Sequence, residues 1–357
     1  MIGKIVFGQV RFGTLSPSRS GSVGSGGDNV SNPISPDQNS VYVLDYHGNT
    51  LTNYSRDAGG GLTYVGVSTL DTSGEAVACV VSPDSKFVYA LVTATNGGLV
   101  GNNIFQFSRD LTTGALTALS PAKISTTTYD HSGIGVFYGM TISPDGAYLY
   151  LASADATGTQ AIIQFSRYLT FGWLTYVGNV ATGPFSSITF SASGLFAYAT
   201  DTIDARVYQY SVNTSTGALT ALSPAYISFA MSFPLQIILS PDEAFAYVNG
   251  GGAGMLICTR NTSTGILTAS STAADYGAFM VISPDGKSAY SVQAGYLDGG
   301  HVVQYDRDTI TGSLTLVTTL SMPMFVGFEN IAMSSSGANL YISGTSPVYT
   351  FNRVVMT

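Results

Sequence analysis

The chain has one tryptophan, two cysteines and three histidines in 357 residues, and only 10% of its residues are charged. Soluble globular chains usually carry roughly 25% charged residues. The four lysines and nine arginines cannot form the cationic footprint that releases counterions from phosphates, so a nucleic-acid partner is excluded. The net charge of −8 argues in the same way against an anionic membrane surface. No stretch reaches the roughly 18–20 continuous apolar residues of a membrane-spanning helix. The first residues, Met1 to Phe7, are too short and too soon broken by Gly8 and Gln9 for the apolar region of a signal peptide. Cys79 and Cys258 lie far apart in the chain and read as small buried hydrophobes rather than as a bridge. The single Trp173 is followed by Leu174, not Asp, which argues against tryptophan-aspartate repeats.

What is present excludes disorder: 45% of the residues are hydrophobic, with 22 Tyr, 18 Phe and 41 Gly. A repeat emerges when the Ser-Pro-Asp turns are aligned. Their serines, including two relics, are Ser35, Ser82, Ser143, Ser191, Ser240, Ser283 and Ser334. Seven residues after each stands a tyrosine: Tyr42, Tyr89, Tyr150, Tyr198, Tyr247, Tyr290 and Tyr341. An aromatic-x-Arg step follows, as in Phe107/Arg109 and Tyr305/Arg307; one unit has Cys258/Arg260 and another has Tyr210 with Val212. A Gly-x-Leu step closes the unit at Leu116, Leu174, Leu219, Leu267 and Leu314, with a contracted Gly61-Leu62 in the first.

Each unit reads as four short strands separated by Pro-Asp-Gly and Thr-Gly turns. The expected fold is all-β: a seven-bladed propeller of four-stranded blades forming a single domain over 1–357. The last unit stops at Thr357 without its Gly-x-Leu strand, and Phe12-Gly13-Thr14-Leu15 resembles that missing piece. Residues 1–17 are therefore expected to close the ring as the outer strand of blade seven, with 18–33 as a Ser/Gly-rich connector.

The Ser-Pro-Asp-Gly, Phe-Ser-Arg-Asp and Thr-Gly-Ala-Leu-Thr series resembles the lactonase-type seven-bladed propellers, the 6-phosphogluconolactonase-like family with its muconate-cyclising relatives. The likeness runs over essentially the whole chain and rests on turn and core residues. It implies an Arg-His pair just before an innermost strand and an Asn-Glu ending a second strand, which would hold a carboxylate or phosphate and activate water. The corresponding segments here, such as Tyr138-Gly139-Met140 and Pro234-Leu235-Gln236, contain neither His nor Arg, and no second strand ends in Asn-Glu. No catalytic residue is assigned on this basis, and no metal or cofactor is expected. His47, His131 and His301 lack metal-ligand spacing. Asp201 and Asp204 with Arg206 read as a local turn network, and the recurring Asp and Arg as structural.

Loop lengths nominate one face. The Ser-to-Tyr and aromatic-to-Leu intervals are nearly constant, whereas the other two connections vary and share the opposite face. Tyr129, Asp130, His131, Phe137 and Tyr138, on the longest variable connection, are the candidate binding residues. Glu75 and Glu329, just before innermost strands, join them at the channel mouth. The leading expectation is a non-catalytic binding or structural module that engages a protein partner, an assembly or a surface glycan, outside a cell or on a virion. The alternatives are a lactone or sugar-acid hydrolase with relocated residues and a carbohydrate-binding propeller.

Overall fold

In this computed structural model, residues 29–31, 33–45, 48–70, 74–94, 102–126, 136–154, 161–228, 234–250, 254–273, 277, 279–293, 300–321, 328–344 and 348–353 are described. They form seven antiparallel sheets, each built from consecutive strands. Blade one contains β1 (Asn29–Ser31), β2 (Ser40–Asp45), β3 (Thr50–Arg56) and β4 (Leu62–Thr69). Blade two contains β5 (Gly74–Val81), β6 (Phe87–Ala94), β7 (Asn103–Arg109) and β8 (Leu116–Ser125). Blade three runs from β9 (Val136–Ile142) through β10 (Tyr148–Ala154) and β11 (Ala161–Arg167) to β12 (Leu174–Thr182). Blade four has β13 (Phe185–Phe190), β14 (Phe196–Asp201), β15 (Arg206–Val212) and β16 (Leu219–Ser228). Blade five has β17 (Pro234–Leu239), β18 (Phe245–Gly250), β19 (Met255–Arg260) and β20 (Leu267–Ala273). Blade six has β21 (Phe279–Ile282), β22 (Ser288–Gln293), β23 (His301–Arg307) and β24 (Leu314–Ser321). In blade seven the described strands are β25 (Phe328–Met333), β26 (Asn339–Gly344) and β27 (Tyr349–Asn352).

The seven-bladed propeller expected from the repeat is therefore the fold. β1 occupies the end of the stretch read as a connector and pairs with β2. Residues 1–17, the expected closing strand, lie outside the described residues. The ring is continuous across its ends, because β1 packs on β25 and β26.

The core is distributed over the seven blade boundaries. On a strand, alternate residues face opposite sides; thus Phe196 and Tyr198 pack towards blade five, while Ala197 and Ala199 pack towards blade three. The seven repeat tyrosines are fully buried in this way. At the boundary of blades one and two, the Tyr42 hydroxyl donates to the Gly114 carbonyl at 3.1 Å. Gly114 lies at φ 78°, and a Cβ there would come within 2.3 Å of Ser40 Oγ, so the turn needs glycine. Arg109 Nε donates to the Tyr42 hydroxyl at 2.8 Å, and its Nη1 meets Asp37 at 2.6 Å. Asp37 in turn accepts from Ser35 Oγ at 2.5 Å. The repeat is thus a clasp: serine and aspartate of one turn, the tyrosine beside it, and the arginine and glycine of the next blade.

The clasp recurs with variations. Tyr89, Tyr150, Tyr198, Tyr247 and Tyr341 donate to Gly172, Gly217, Gly265, Gly312 and Gly60. Blade four has no clasp arginine, since Val212 stands at that position. Blade four also lacks the turn aspartate, and Glu243 of blade five takes over by accepting from Ala192 N while pairing with Arg260 at 3.4 Å. Between blades six and seven, Arg353 pairs with Asp285 at 2.9 Å, but the Tyr290 hydroxyl meets no turn carbonyl among the described residues.

Candidate functional site

The face opposite the clasps carries the starts of the inner strands, the ends of the second strands and the starts of the third. Here the blades differ from one another. In every blade except the sixth the inner strand is bulged against its neighbour at the same level, opposite the second and third residues after the repeat tyrosine. The extra residues are Val30, Val77, Tyr138, Ser186, Leu235 and Glu329, so six blades place an unpaired backbone position at one level around the mouth of the channel. Bulges of this kind turn a side chain out of the ladder and are common beside active sites.

Two of the sequence-nominated residues, Tyr138 and Glu329, occupy bulge positions. Phe137 pairs with Ser153 one step away. Glu75 pairs with Thr93 at the start of β5 and is half-buried. Its strand is pinned from blade one: the buried Asn49 donates through Nδ2 to the Gly74 carbonyl at 2.6 Å. Glu75, Phe137, Tyr138 and Glu329 thus share the channel mouth by backbone position. Tyr129, Asp130 and His131 lie outside the described residues, as does His47. His301 opens β23 on the same face and pairs with Gln293.

The sequence did not single out the polar groups between blades four and five. Ser186 Oγ donates to the Pro234 carbonyl at 2.9 Å and shares a hydrogen bond of 2.8 Å with Thr200 Oγ1. Ser187 Oγ lies 2.7 Å from the same Thr200 hydroxyl. One boundary further, Gln236 Oε1 accepts from Met280 N at 2.8 Å. Asn249, only 1% exposed, has no hydrogen-bond partner for either amide atom among the described residues. A signal was available in the repeat. The position two residues after the tyrosine is apolar in Leu44, Leu91 and Ala152, but polar in Thr200, Asn249 and Ser343.

The turn network read at Asp201 is present. Asp201 Oδ1 accepts from Ile203 N and Asp204 N, each at 2.9 Å. Asp204 pairs with Arg206 at 2.8 Å, and the guanidinium lies 4.5 Å from the centre of the Tyr226 ring. Asp201 itself is fully buried, and its Oδ2 has no hydrogen-bond partner among the described residues. Burial raises the Asp201 carboxyl above its ordinary pKa, against the two backbone N–H groups that lower it. It positions the short turn that presents Arg206. Among the described residues, no three His, Cys, Asp or Glu side chains gather as a metal site. Cys79 and Cys258 are free thiols buried in different boundaries, and burial pushes the Cys258 thiol up to about 12.

No protein-family model and no curated protein sequence matches the chain. Solved structures do. A candidate 6-phosphogluconolactonase of Bacteroides fragilis superposes with a TM-score of 0.68 at 19% identity, over 82% of this chain and 84% of that one. The periplasmic gluconolactonase of Pseudomonas aeruginosa gives 0.66 at 16% identity, over 89% of both chains. Its fold is that of the lactonase-type propellers. Hydrazine synthase of Kuenenia stuttgartiensis also matches, with a TM-score of 0.68 at 14% identity over 95% of this chain and 99% of that one. At such identities the likeness establishes architecture, and one architecture carries several chemistries.

These neighbours correct the functional expectation. A non-catalytic structural or virion-associated module finds no support, whereas the lactonase alternative does, through neighbours named for that activity. The expectation rested on empty motif positions. A propeller mouth is lined by every blade, so a reacting group missing from one blade can come from another, and motif positions alone cannot exclude catalysis.

Proposed function

We propose that the protein is a lactone hydrolase whose site is the channel mouth on the variable-loop face, acting on an uncharged sugar-acid lactone. The observation carrying this reading is the circle of bulged inner strands, with Glu75 and Glu329 at its level, in a fold that its neighbours named as gluconolactonases share. A carboxylate there takes a proton from water as the water attacks the acyl carbon. The acyl–ring oxygen bond then breaks, the ring oxygen takes up a proton, and the open-chain acid leaves. An uncharged substrate fits the distribution of cations. Arg56, Arg109, Arg167, Arg260, Arg307 and Arg353 all serve the blade-boundary clasps, and Arg206 is paired with Asp204. A phosphorylated lactone would need cations committed to its phosphate.

Acid release from gluconolactone, followed at constant pH above the spontaneous rate, tests the reading. Saturable turnover is expected, with Glu75→Gln or Glu329→Gln lowering kcat by about 10²–10⁴-fold. A rate no higher than the spontaneous one overturns it. Faster turnover of the 6-phospho lactone would overturn the substrate class while keeping the reaction.

A further inference from the structure

The third-to-outer turn is built alike in four blades. Asp110 Oδ1 accepts from Thr112 N at 2.9 Å and Thr113 N at 2.8 Å. Asn213, Asn261 and Asp308 cap their turns in the same way. A threonine three residues on, Thr113 in blade two, adds a hydrogen bond to the second backbone N–H after it. Blade three keeps the backbone of this turn: Tyr168 N donates to Trp173 O at 2.8 Å and Gly172 N to Tyr168 O at 2.7 Å. It discards the caps. Tyr168 replaces the Asp or Asn, Phe171 replaces the threonine, and Trp173 stands where the others have Ala115, Ala218, Ile266 and Ser313.

The three rings are 57%, 49% and 43% exposed, in the order Tyr168, Phe171, Trp173. They lie nearly parallel. Tyr168 and Phe171 are 3° apart in plane at 5.5 Å, Phe171 and Trp173 19° at 4.9 Å, and Tyr168 and Trp173 21° at 6.2 Å. Giving up three capping hydrogen bonds to expose three aromatics is a local conflict that marks function more often than folding.

We infer that this turn is a platform for a neutral saccharide, distinct from the channel mouth and independent of the hydrolase reading. The geometry removes the competing occupants. A half-exposed aromatic offers about 100 Å², so the platform offers on the order of 300 Å², against roughly 800 Å² per partner in a stable protein interface. A cationic ligand would be held by rings turned around it, and these near-parallel, mutually stacked rings enclose no such cage. Nucleobases also stack on aromatic faces, but strand binding needs Lys and Arg, which a chain of net charge −8 does not supply. A sugar ring has one face of positively polarised C–H groups that stacks on the electron-rich face of an aromatic ring, and it requires no charge. From Tyr168 to Trp173 there is no charged residue.

Trp173 is the only tryptophan, so the platform carries its own reporter. Its fluorescence is titrated with maltohexaose, cellohexaose and chitohexaose, each to about 10 mM, which spans millimolar dissociation constants. A saturable shift with at least one is expected. The double variant Tyr168→Asp/Phe171→Thr restores the blade-two caps and leaves Trp173 in place. It should fold with wild-type stability or better, keep its gluconolactone turnover, and bind the saccharide at least about tenfold more weakly. Silence with all three sugars overturns the inference. So does a fluorescence change that tracks protein concentration and vanishes in the double variant, because the platform would then be a contact between copies of the chain.

Discussion

On the turn face of the ring, one set of groups meets at successive blade boundaries; at the channel mouth the blades share a backbone bulge, but the described side chains differ from blade to blade. The turn face spends its serines, aspartates, tyrosines and arginines on clasps, so that its polar groups point at one another. At the mouth, Asn49 holds Gly74, Ser186 bridges to Pro234, Asp201 caps its own turn and Asn249 has no partner among the described residues. The contrast shows where chemistry can evolve. Repeated groups are held by the requirement that neighbouring blades fit, whereas the mouth is free to vary once the ring is closed.

The sharpest way to break the regular face is to remove its proposed closure. Deleting residues 1–17 should leave blade seven with an open edge at β27 and convert the protein to aggregates, measured by light scattering with size exclusion. A monodisperse truncation with unchanged thermal stability would reject this closure.

Next in size is the clasp itself. Arg109→Met strips the donors from Tyr42 and Asp37 and should cost on the order of 3 kcal/mol in urea unfolding. The same clasps set an acid limit. Burial pushes the carboxyls of Asp37, Asp84, Asp242 and Asp285 up, but the serine hydroxyl, the arginine and a backbone N–H outweigh it, so each ends below its ordinary value. Carboxyls lowered in the folded state stabilise it fully above the unfolded pKa of about 3.9, and that stability is lost as pH falls through the folded values. Wild-type stability should therefore drop below about pH 4, and part of that drop should be missing in Arg109→Met.

A smaller effect tests the clasp by repair. Val212→Arg restores the aromatic-x-Arg pattern opposite Asp145 and Tyr150, and should stabilise by about 1 kcal/mol. No gain would mean that blade four has repacked around valine. The smallest effect belongs to the mouth. Asp201→Asn keeps the oxygen that caps Ile203 and Asp204 and removes a buried charge, so it should be neutral or stabilising by up to about 1 kcal/mol at pH 7. The gain should shrink as pH falls, because the raised carboxyl of the wild type becomes protonated there.

The repeat was legible because it is periodic. Ser35 to Tyr42 and its six counterparts named the strands, the turns and the blade count, and the recurring Asp and Arg were legible as structural. The mouth was only partly so. Glu75 and Glu329 were singled out as preceding inner strands and lie at the second residue of β5 and β25, whereas Ser186, Thr200 and Asn249 were not singled out, because each occurs once and has no period to expose it. The Tyr168, Phe171 and Trp173 cluster escaped for a related reason: its meaning appears only when the turn is laid over its four capped counterparts.

By itself, the sequence determined the number of blades, the period, the buried tyrosines and the shortage of free cations, since each follows from composition or spacing. Tertiary structure alone decided which Asp each Arg reaches, which inner strands bulge, and that three aromatics lie parallel on one turn. The clasp pairs join Arg and Asp 65 to 83 residues apart, and the bulges and parallel rings are local geometry that spacing does not set. Periodicity fixes which residues face a boundary; only the closed ring fixes what they meet there.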